Sequence, residues 1–264
     1  MNKSFKVMGF QIQSKKDLDN NLNKHVENLE KYSSDVDMFV YPELFSTGYI
    51  MDKDYFNENA MDTNDEKFKS VLELSRKHNT NVLFPFLERC GDKLYNSVAV
   101  INRSGELLGI KRKFINWKTE NGYLDEAPMK ENLRVFQVDG IKVGILLCYE
   151  VSFAETARYL KKQGVELIVI MSFWDRSAES QWIYQIATRA ADNNVFAIGV
   201  NGFWKEHTCG NSMMANPNGD IVANLGHEEG TIVFEITKKQ LEEEIDMWPY
   251  YEDYMAYNMK DLLK

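Results

Sequence analysis

The chain has few cysteines, few prolines and no long apolar run, and each shortage excludes a class of protein. Its three cysteines, Cys90, Cys148 and Cys209, are odd in number and far apart, which argues against a disulfide framework or a CxxC metal site and indicates a reducing compartment. The five prolines are scattered, so no proline-rich linker divides the chain. Because no stretch approaches the length of a membrane span and the first residues lack a secretory core, we expect a cytoplasmic protein.

An excess of basic residues is also missing. The formal net charge at pH 7 is -9, from 31 Lys and Arg against 40 Asp and Glu. A nucleic-acid-binding protein needs basic surface to neutralise phosphates, so we expect neither nucleic acid nor a membrane as a partner. The 264 residues, 44% of them hydrophobic, are enough to bury one substantial core.

The predicted elements come in the same order in both halves of the chain. The segments 5–110 and 142–236 each read as strand, helix, strand, helix and then several strands. Two such halves, each a mixed sheet with helices on one face, can bury their bare sheet faces against each other. We therefore predict a single α+β domain, a four-layer α-β-β-α sandwich. A doubly wound sheet is the alternative, although consecutive strands are not typical of purely parallel winding.

Cys148 is the first candidate for chemistry. It ends the apolar strand 142–147 and precedes a predicted helix over Phe153–Gln163, before which Ser152 and Glu155 have the spacing of a capping box. A thiol at a strand-to-helix turn is a candidate nucleophile, because its thiolate attacks carbon and a nearby base or positive charge generates that thiolate. The alternative is a buried core cysteine, since free cysteine behaves as a small hydrophobe.

Two other strand ends carry charged residues that can act with such a thiol. Glu43 follows Pro42, which cannot continue a central strand, so this partly desolvated carboxylate at the strand end can act as a general base. Lys113 follows the predicted strand 106–110, and an ammonium beside the nucleophile stabilises a thiolate and an oxyanion. The alternatives are a loop-capping glutamate and a solvated basic patch of Lys113 with Lys111 and Arg112.

Three segments resemble, in order and spacing, the signature motifs of the nitrilase superfamily of carbon–nitrogen hydrolases. They are YPELFSTGY (41–49), GIKRK (109–113) and GILLCYE (144–150), and the resemblance covers essentially all of residues 1–264. It implies a Glu-Lys-Cys triad, in which Glu43 is the general base, Lys113 stabilises the tetrahedral intermediates and Cys148 is the nucleophile. It also implies that Glu120, in the segment ENGY, holds Lys113 or the substrate.

The resemblance implies the reaction as well. We expect hydrolysis of a small linear amide, an ω-amide or an N-carbamoyl compound, which releases ammonia through a cysteine thioester without a metal or organic cofactor. The expected substrate contacts are the backbone N–H of Tyr149 and the wall residue Trp174. Many amidases of the family have arginine where this chain has Ser152, so the reader of a substrate carboxylate is missing. Arg176 is the candidate replacement, and a surface ion pair is the alternative for it.

Two other functions stay open at this stage. Glu150, two positions after the cysteine, is common in members that hydrolyse nitriles, although those usually carry tryptophan where this chain has Tyr149. The second open function is that of a non-catalytic member, which binds a small metabolite or a partner in the same pocket. Such a protein would need no Glu-Lys-Cys set. His207 and Cys209 form an H-x-C pair, but without partner ligands nearby we predict no metal site.

The segment 245–264 is a C-terminal tail rich in aromatic residues. Exposed aromatic clusters of this kind need to be covered by another surface. We predict that the tail packs at the two-fold interface of a homodimer, and packing on its own domain is the alternative.

Overall fold

Two six-stranded mixed sheets lie face to face, and helices cover the outer face of each. The computed structural model describes residues 4–259 and Asp261. One apolar cluster fills the space between the sheets, with residues such as Val40 and Val98 from one sheet and Ile145 and Val169 from the other. This arrangement confirms the predicted four-layer α-β-β-α sandwich in one domain.

The first sheet has the strand order β12-β1-β2-β3-β4-β5. Strands β1, β2 and β3 are parallel, β3, β4 and β5 form an antiparallel meander, and β12 is antiparallel to β1. The strands are β1 (Phe5–Gln11), β2 (Met38–Val40), β3 (Asn81–Cys90), β4 (Lys93–Ile101), β5 (Leu107–Arg112) and β12 (Gly230–Ile236).

The second sheet has the order β11-β10-β9-β8-β7-β6. Its centre, β7, β8 and β9, is parallel, and the outer strands are antiparallel. The strands are β6 (Val135–Val138), β7 (Ile141–Leu147), β8 (Leu167–Ser172), β9 (Phe196–Asn201), β10 (Met213–Ala215) and β11 (Ile221–Asn224). Because the parallel strands share one direction, their carboxyl ends meet at one edge.

Helices on the outer faces complete the layers. Helices α1 and α3 contribute Leu29 and Phe68 to the cluster outside the first sheet, and α5 and α6 contribute Leu160 and Trp182 to the cluster outside the second. The helices are α1 (Leu18–Tyr32), α2 (Lys53–Asn59), α3 (Glu66–Lys77), α4 (Met129–Asn132), α5 (Ala154–Lys162), α6 (Glu179–Ala191), α7 (Lys238–Met247) and α8 (Tyr250–Ala256). None of those within residues 4–259 has both the length and the apolar character that a membrane crossing requires.

The prediction that each half of the chain forms its own sheet is wrong for one strand. Strand β12, predicted to complete the second sheet, joins the first, where it pairs with β1 from Phe5↔Ile236 to Gln11↔Gly230. Pairing there covers the backbone groups of β1, which would otherwise form an open edge. Strand β6, which the sequence analysis did not predict, extends the second sheet beside β7.

The predicted capping box is also wrong. Residues Cys148–Ser152 form a short 3-10 helix, so Ser152 still belongs to that turn and α5 begins only at Ala154, with Phe153 as its N-cap. The hydroxyl of Thr156 donates instead to the carbonyl oxygens of Glu150 and Phe153. The Ser152 hydroxyl turns towards Gln185, at 3.3 Å from its side-chain oxygen.

The aromatic tail packs against its own domain. The side chain of Asn194 donates to the carbonyl oxygen of Trp248 and accepts from the amide of Tyr251, and the Arg158 guanidinium lies over the ring of Tyr254. Trp248 and Tyr257 keep 50% and 77% of their surfaces exposed, so a dimer interface here stays a prediction. Positions 260 and 262–264 of the predicted tail lie outside the described residues.

A glycine allows the second sheet to pack closely on α6, which gives a test of the fold. A Cβ atom at Gly199 would come within 2.2 Å of Cδ1 of Ile186 and 2.6 Å of the Trp182 ring. We expect Gly199→Ala to lower the free energy of unfolding by about 1–3 kcal/mol through overpacking, as measured by urea denaturation. Gly230→Ala is the matched control, because its Cβ would meet nothing nearer than 3.6 Å. Equal stabilities of the two variants would contradict this packing.

Candidate active site

Three of the four predicted catalytic side chains form one buried, hydrogen-bonded cluster at the edge of the sandwich. Lys113, directly after β5, donates from Nζ to Oε1 of Glu43 at 2.8 Å and to Oε1 and Oε2 of Glu120 at 2.9 and 2.7 Å. At most 1% of the surface of each of these residues is exposed. The solvated basic patch that was the alternative for Lys113 is therefore wrong, and Glu120 is buried as well.

The cluster is held by donors that the sequence analysis missed. Asn96, in the middle of β4, donates to Oε1 of Glu43 at 2.8 Å and to Oε1 of Glu120 at 3.2 Å. The backbone amides of Phe173 and Trp117 donate to Oε2 of Glu43 and of Glu120, respectively. The available signal was an asparagine in an otherwise buried strand, because a buried amide must find hydrogen-bond partners.

The electrostatics of the cluster keep Lys113 charged. Burial lowers the pKa of Lys113, but the carboxylates of Glu43 and Glu120 outweigh that effect, so its pKa lies well above the ordinary value. Burial raises the pKa of Glu120, and the neighbouring Glu43 adds to the rise while Lys113 opposes it. Two carboxylates thus share one fixed ammonium, an arrangement in which a carboxylate can accept a proton while a positive charge remains in place.

Cys148 occupies the sharp turn between β7 and the 3-10 helix. Its φ of +46° lies in the left-handed region that a non-glycine residue rarely adopts, and only 8% of its surface is exposed. Burial raises the pKa of its thiol, and the charge of Glu43 raises it further, whereas Lys113 opposes the rise. The thiol is thus protonated at neutral pH and needs a base to become a nucleophile.

A second buried ion pair fixes this turn. Glu150 accepts from the backbone amides of Leu147 and Phe114, each at 2.8 Å, and from Nζ of Lys111 at 2.6 and 2.7 Å. Burial lowers the pKa of Lys111 to about 8, although the charge of Glu150 opposes that shift. Since Glu150 is engaged in this pair, the structure gives it a role in the fold rather than a place in the substrate cavity.

A cavity of about 480 Å³ opens over the cysteine. Of the predicted substrate contacts, Tyr149 and Trp174 line it, and so does Ser152 at the position of the missing arginine. The side chain of Arg176 is exposed and does not belong to the lining. His207 lines the cavity, while the neighbouring Cys209 is buried, and the described residues contain no group of three or more His, Cys, Asp or Glu that could hold a metal.

Comparison with known proteins agrees with this geometry. The sequence profile described as carbon-nitrogen hydrolase matches residues 7–245. The chain belongs to the carbon-nitrogen hydrolase family. It is therefore a hydrolase of carbon–nitrogen bonds, and the predicted resemblance is confirmed.

The chain is also similar to proteins with known names and to solved structures. The chain is 26% identical to a Staphylococcus aureus protein named hydrolase in agr operon, over 83% of this chain and 85% of that protein. It is 25% identical to the 2-oxoglutaramate amidase of Bacillus subtilis, over 85% and 87%. The crystal structure of Saccharomyces cerevisiae Nit3, a member of branch 10 of the nitrilase superfamily, is similar in fold, with a TM-score of 0.82 at 23% identity over 94% of this chain and 95% of that one.

Ser172 is a further site residue that the sequence analysis missed. It ends β8, next to the pair Leu147↔Met171 that brings β8 alongside the cysteine strand. Its buried hydroxyl has no hydrogen-bond partner within residues 4–259, and its effect on the Cys148 thiol is to lower the pKa, against the larger rise that burial causes. The hydroxyl thus favours the thiolate.

We expect Ser172→Ala to raise the pKa of Cys148, because the thiolate loses a donor. Since a hydrogen bond to a charged group contributes about 1.5 kcal/mol or more, alkylation of Cys148 by iodoacetamide at a fixed pH should slow about tenfold. Its rise with pH should shift upward, as followed by mass spectrometry of the labelled peptide. The groups that face the thiol, Glu43, Lys113 and Glu120, are the same in both proteins.

Ser75→Ala is the matched control for this measurement. Ser75 is equally buried, but its hydroxyl donates to the Val71 carbonyl oxygen inside α3. An unchanged alkylation profile in Ser172→Ala, or the same shift in the control, would show that the Ser172 hydroxyl does not act on the thiol.

Proposed function

We propose that the protein hydrolyses the amide bond of a small linear substrate, a primary carboxamide or an N-carbamoyl compound, and releases ammonia through a cysteine thioester. The observation that carries this proposal is the fully buried ion cluster of Glu43, Lys113 and Glu120 beside Cys148, which itself lines the cavity. Membership in the carbon-nitrogen hydrolase family supports the reaction class.

The first half of the reaction forms the acyl-enzyme. Glu43 takes the proton from the thiol, and the sulfur of Cys148 attacks the amide carbon to give a tetrahedral oxyanion. The charged ammonium of Lys113 stabilises this oxyanion, and the backbone N–H of Tyr149 is the second donor in the proposal. Glu43 then gives its proton to the leaving nitrogen, the carbon–nitrogen bond breaks, and ammonia leaves a thioester on Cys148.

The second half regenerates the thiol. Glu43 takes a proton from a water molecule, whose oxygen attacks the thioester carbon to give a second oxyanion beside Lys113. The carbon–sulfur bond breaks, the acid departs, and the sulfur regains the proton from Glu43. Glu120 and Asn96 act as positioning residues here, because they hold the Lys113 ammonium and the Glu43 carboxylate through hydrogen bonds of 2.7 to 2.9 Å.

The other functions gain less support. Glu150, which favoured nitrile hydrolysis, is paired with Lys111 and holds the cysteine turn, so its presence has a structural reason. A binding module would have no use for a buried ammonium between two carboxylates, which is costly to desolvate. Of the predicted substrate contacts, Trp174 is kept in the proposal and Arg176 is not, because it is exposed outside the cavity lining.

The proposal is tested by ammonia release from a panel of primary amides, N-carbamoyl amines and nitriles. We expect Cys148→Ala to abolish release and Glu43→Gln to reduce kcat/KM by roughly 10³-fold, as expected for loss of a general base. Hydroxylamine added during turnover should intercept the thioester and yield the hydroxamate in the unmodified protein. Glu43→Gln keeps the size of the side chain, and circular dichroism checks that it folds.

Cys90→Ala is the matched control, because Cys90 is exposed and lies at the end of β3, away from the cavity lining. Its ammonia release should equal that of the unmodified protein. Release that persists in Cys148→Ala, or no hydroxamate during active turnover, would refute the thioester route.

A further inference from the structure

The cavity over Cys148 is walled by aromatic side chains. Six of its fourteen lining residues are Tyr, Phe or Trp: Tyr49, Trp117, Tyr149, Phe173, Trp174 and Trp204. With a volume of about 480 Å³, the cavity has room for much more than the amide group that reacts. The walls must therefore recognise a sizeable remainder of the substrate.

These aromatic side chains brace one another. On one side Trp117 packs edge-on against Tyr149, with ring centroids 4.9 Å apart. On the other, Tyr49 stacks on Phe173 at 5.1 Å with the planes 6° apart, and Trp204 lies against Phe173 and His207. Walls supported in this way are preformed, which reduces the entropy lost when an apolar group binds.

The cavity lining offers an anionic substrate no Lys or Arg. Its single carboxylate, Asp175, carries a negative charge, and the imidazole of His207 lies close enough to act on that carboxylate. Ser152 occupies the position of the family's arginine and brings only a hydroxyl. Lys113, outside the lining, is already paired with two carboxylates, and Lys118, also outside the lining, lies over the Trp117 ring at 5.2 Å from its centroid.

Asp175 is itself engaged in the fold. Its Oδ1 accepts from the amide and the hydroxyl of Ser177 at 2.8 and 2.6 Å, which caps the short 3-10 helix Arg176–Ala178. The Asp175 residue is also exposed to solvent, so its attraction for a cation is screened. The cavity therefore combines a large aromatic wall with no Lys or Arg and with one carboxylate that is already engaged in the fold.

We infer that the substrate is a primary amide whose remainder is uncharged and apolar, aromatic or extended aliphatic, and not an amide that carries a carboxylate. This inference rests on the amide hydrolysis proposed above. A carboxylate in this cavity would lose its hydration without gaining a Lys or Arg partner in the lining, which is costly. The inferred substrate thus differs from the one in the name of the relative 2-oxoglutaramate amidase.

Four amides, compared by kcat/KM for ammonia release, test the inference. Hexanamide, glutaric acid monoamide and 5-aminopentanamide have chains of similar length, and 4-phenylbutyramide carries a longer, aromatic remainder. We expect the two apolar amides to lead and glutaric acid monoamide to fall at least roughly 100-fold below hexanamide. A carboxylate or ammonium substrate that equals or exceeds hexanamide would overturn the inference and leave the amidase proposal standing. Release from none of the four would overturn the inference, and ammonia release from the N-carbamoyl amines of the panel above would then decide whether the proposed hydrolysis stands.

A rim tryptophan provides the second measurement. Trp204 is 43% exposed, so Trp204→Ala should fold while removing part of the wall. We expect the ratio of kcat/KM for 4-phenylbutyramide to that for propionamide to fall about tenfold, because the ring loses its contact. Trp248→Ala, a similarly exposed tryptophan in the C-terminal tail, should leave that ratio unchanged. A ratio that stays the same in Trp204→Ala would show that the wall does not read the substrate.

Discussion

The burial of five charged side chains at one edge of the sandwich is the constraint on which the rest of the structure depends. Glu43, Lys113 and Glu120 form one group, and Lys111 and Glu150 form the other, with at most 1% of each residue exposed. An unpaired charge at such a depth costs several kcal/mol, so each must keep its partner for the chain to fold. The segments that carry them are thereby held in fixed relative positions.

These contacts also join the two sheets at the candidate site. Glu150 follows β7 of the second sheet and accepts from Lys111 in β5 of the first. In the opposite direction, Glu43 follows β2 of the first sheet and accepts from the amide of Phe173, just beyond β8 of the second. The interactions that position the base and the nucleophile therefore also tie the halves of the sandwich together, so stability and reactivity share the same atoms.

Local sequence patterns predict much of this molecule. The order of strands and helices follows from periodicity, and the placement of Glu43, Lys113 and Cys148 after strand ends follows from apolar runs and a proline. The position of β12 in the first sheet could not be predicted in the same way, because its sequence fits either sheet edge. Partner choice between strands more than 200 residues apart, such as Phe5 and Ile236, depends on the whole topology.

The same limit applies to the buried charges. Lys111, Arg112 and Lys113 look like one basic run, yet alternation along the chain from β5 sends Lys111 to Glu150 and Lys113 to Glu43, while Arg112 pairs with Glu88. Each partner lies 24 to 70 residues away, so spacing alone cannot reveal it.

The charge balance of the catalytic cluster bears on substrate choice as well. With one ammonium between two carboxylates, the group carries a net negative charge when both acids are ionised. A third anion placed above it would compete with Glu43 for Lys113 and oppose the oxyanion that forms on the substrate. An apolar wall avoids this conflict, because it binds the remainder of the substrate without adding charge beside the reacting carbon. In the proposed function, the ion cluster beside Cys148 thus performs the chemistry, and the aromatic walls of the cavity select the substrate.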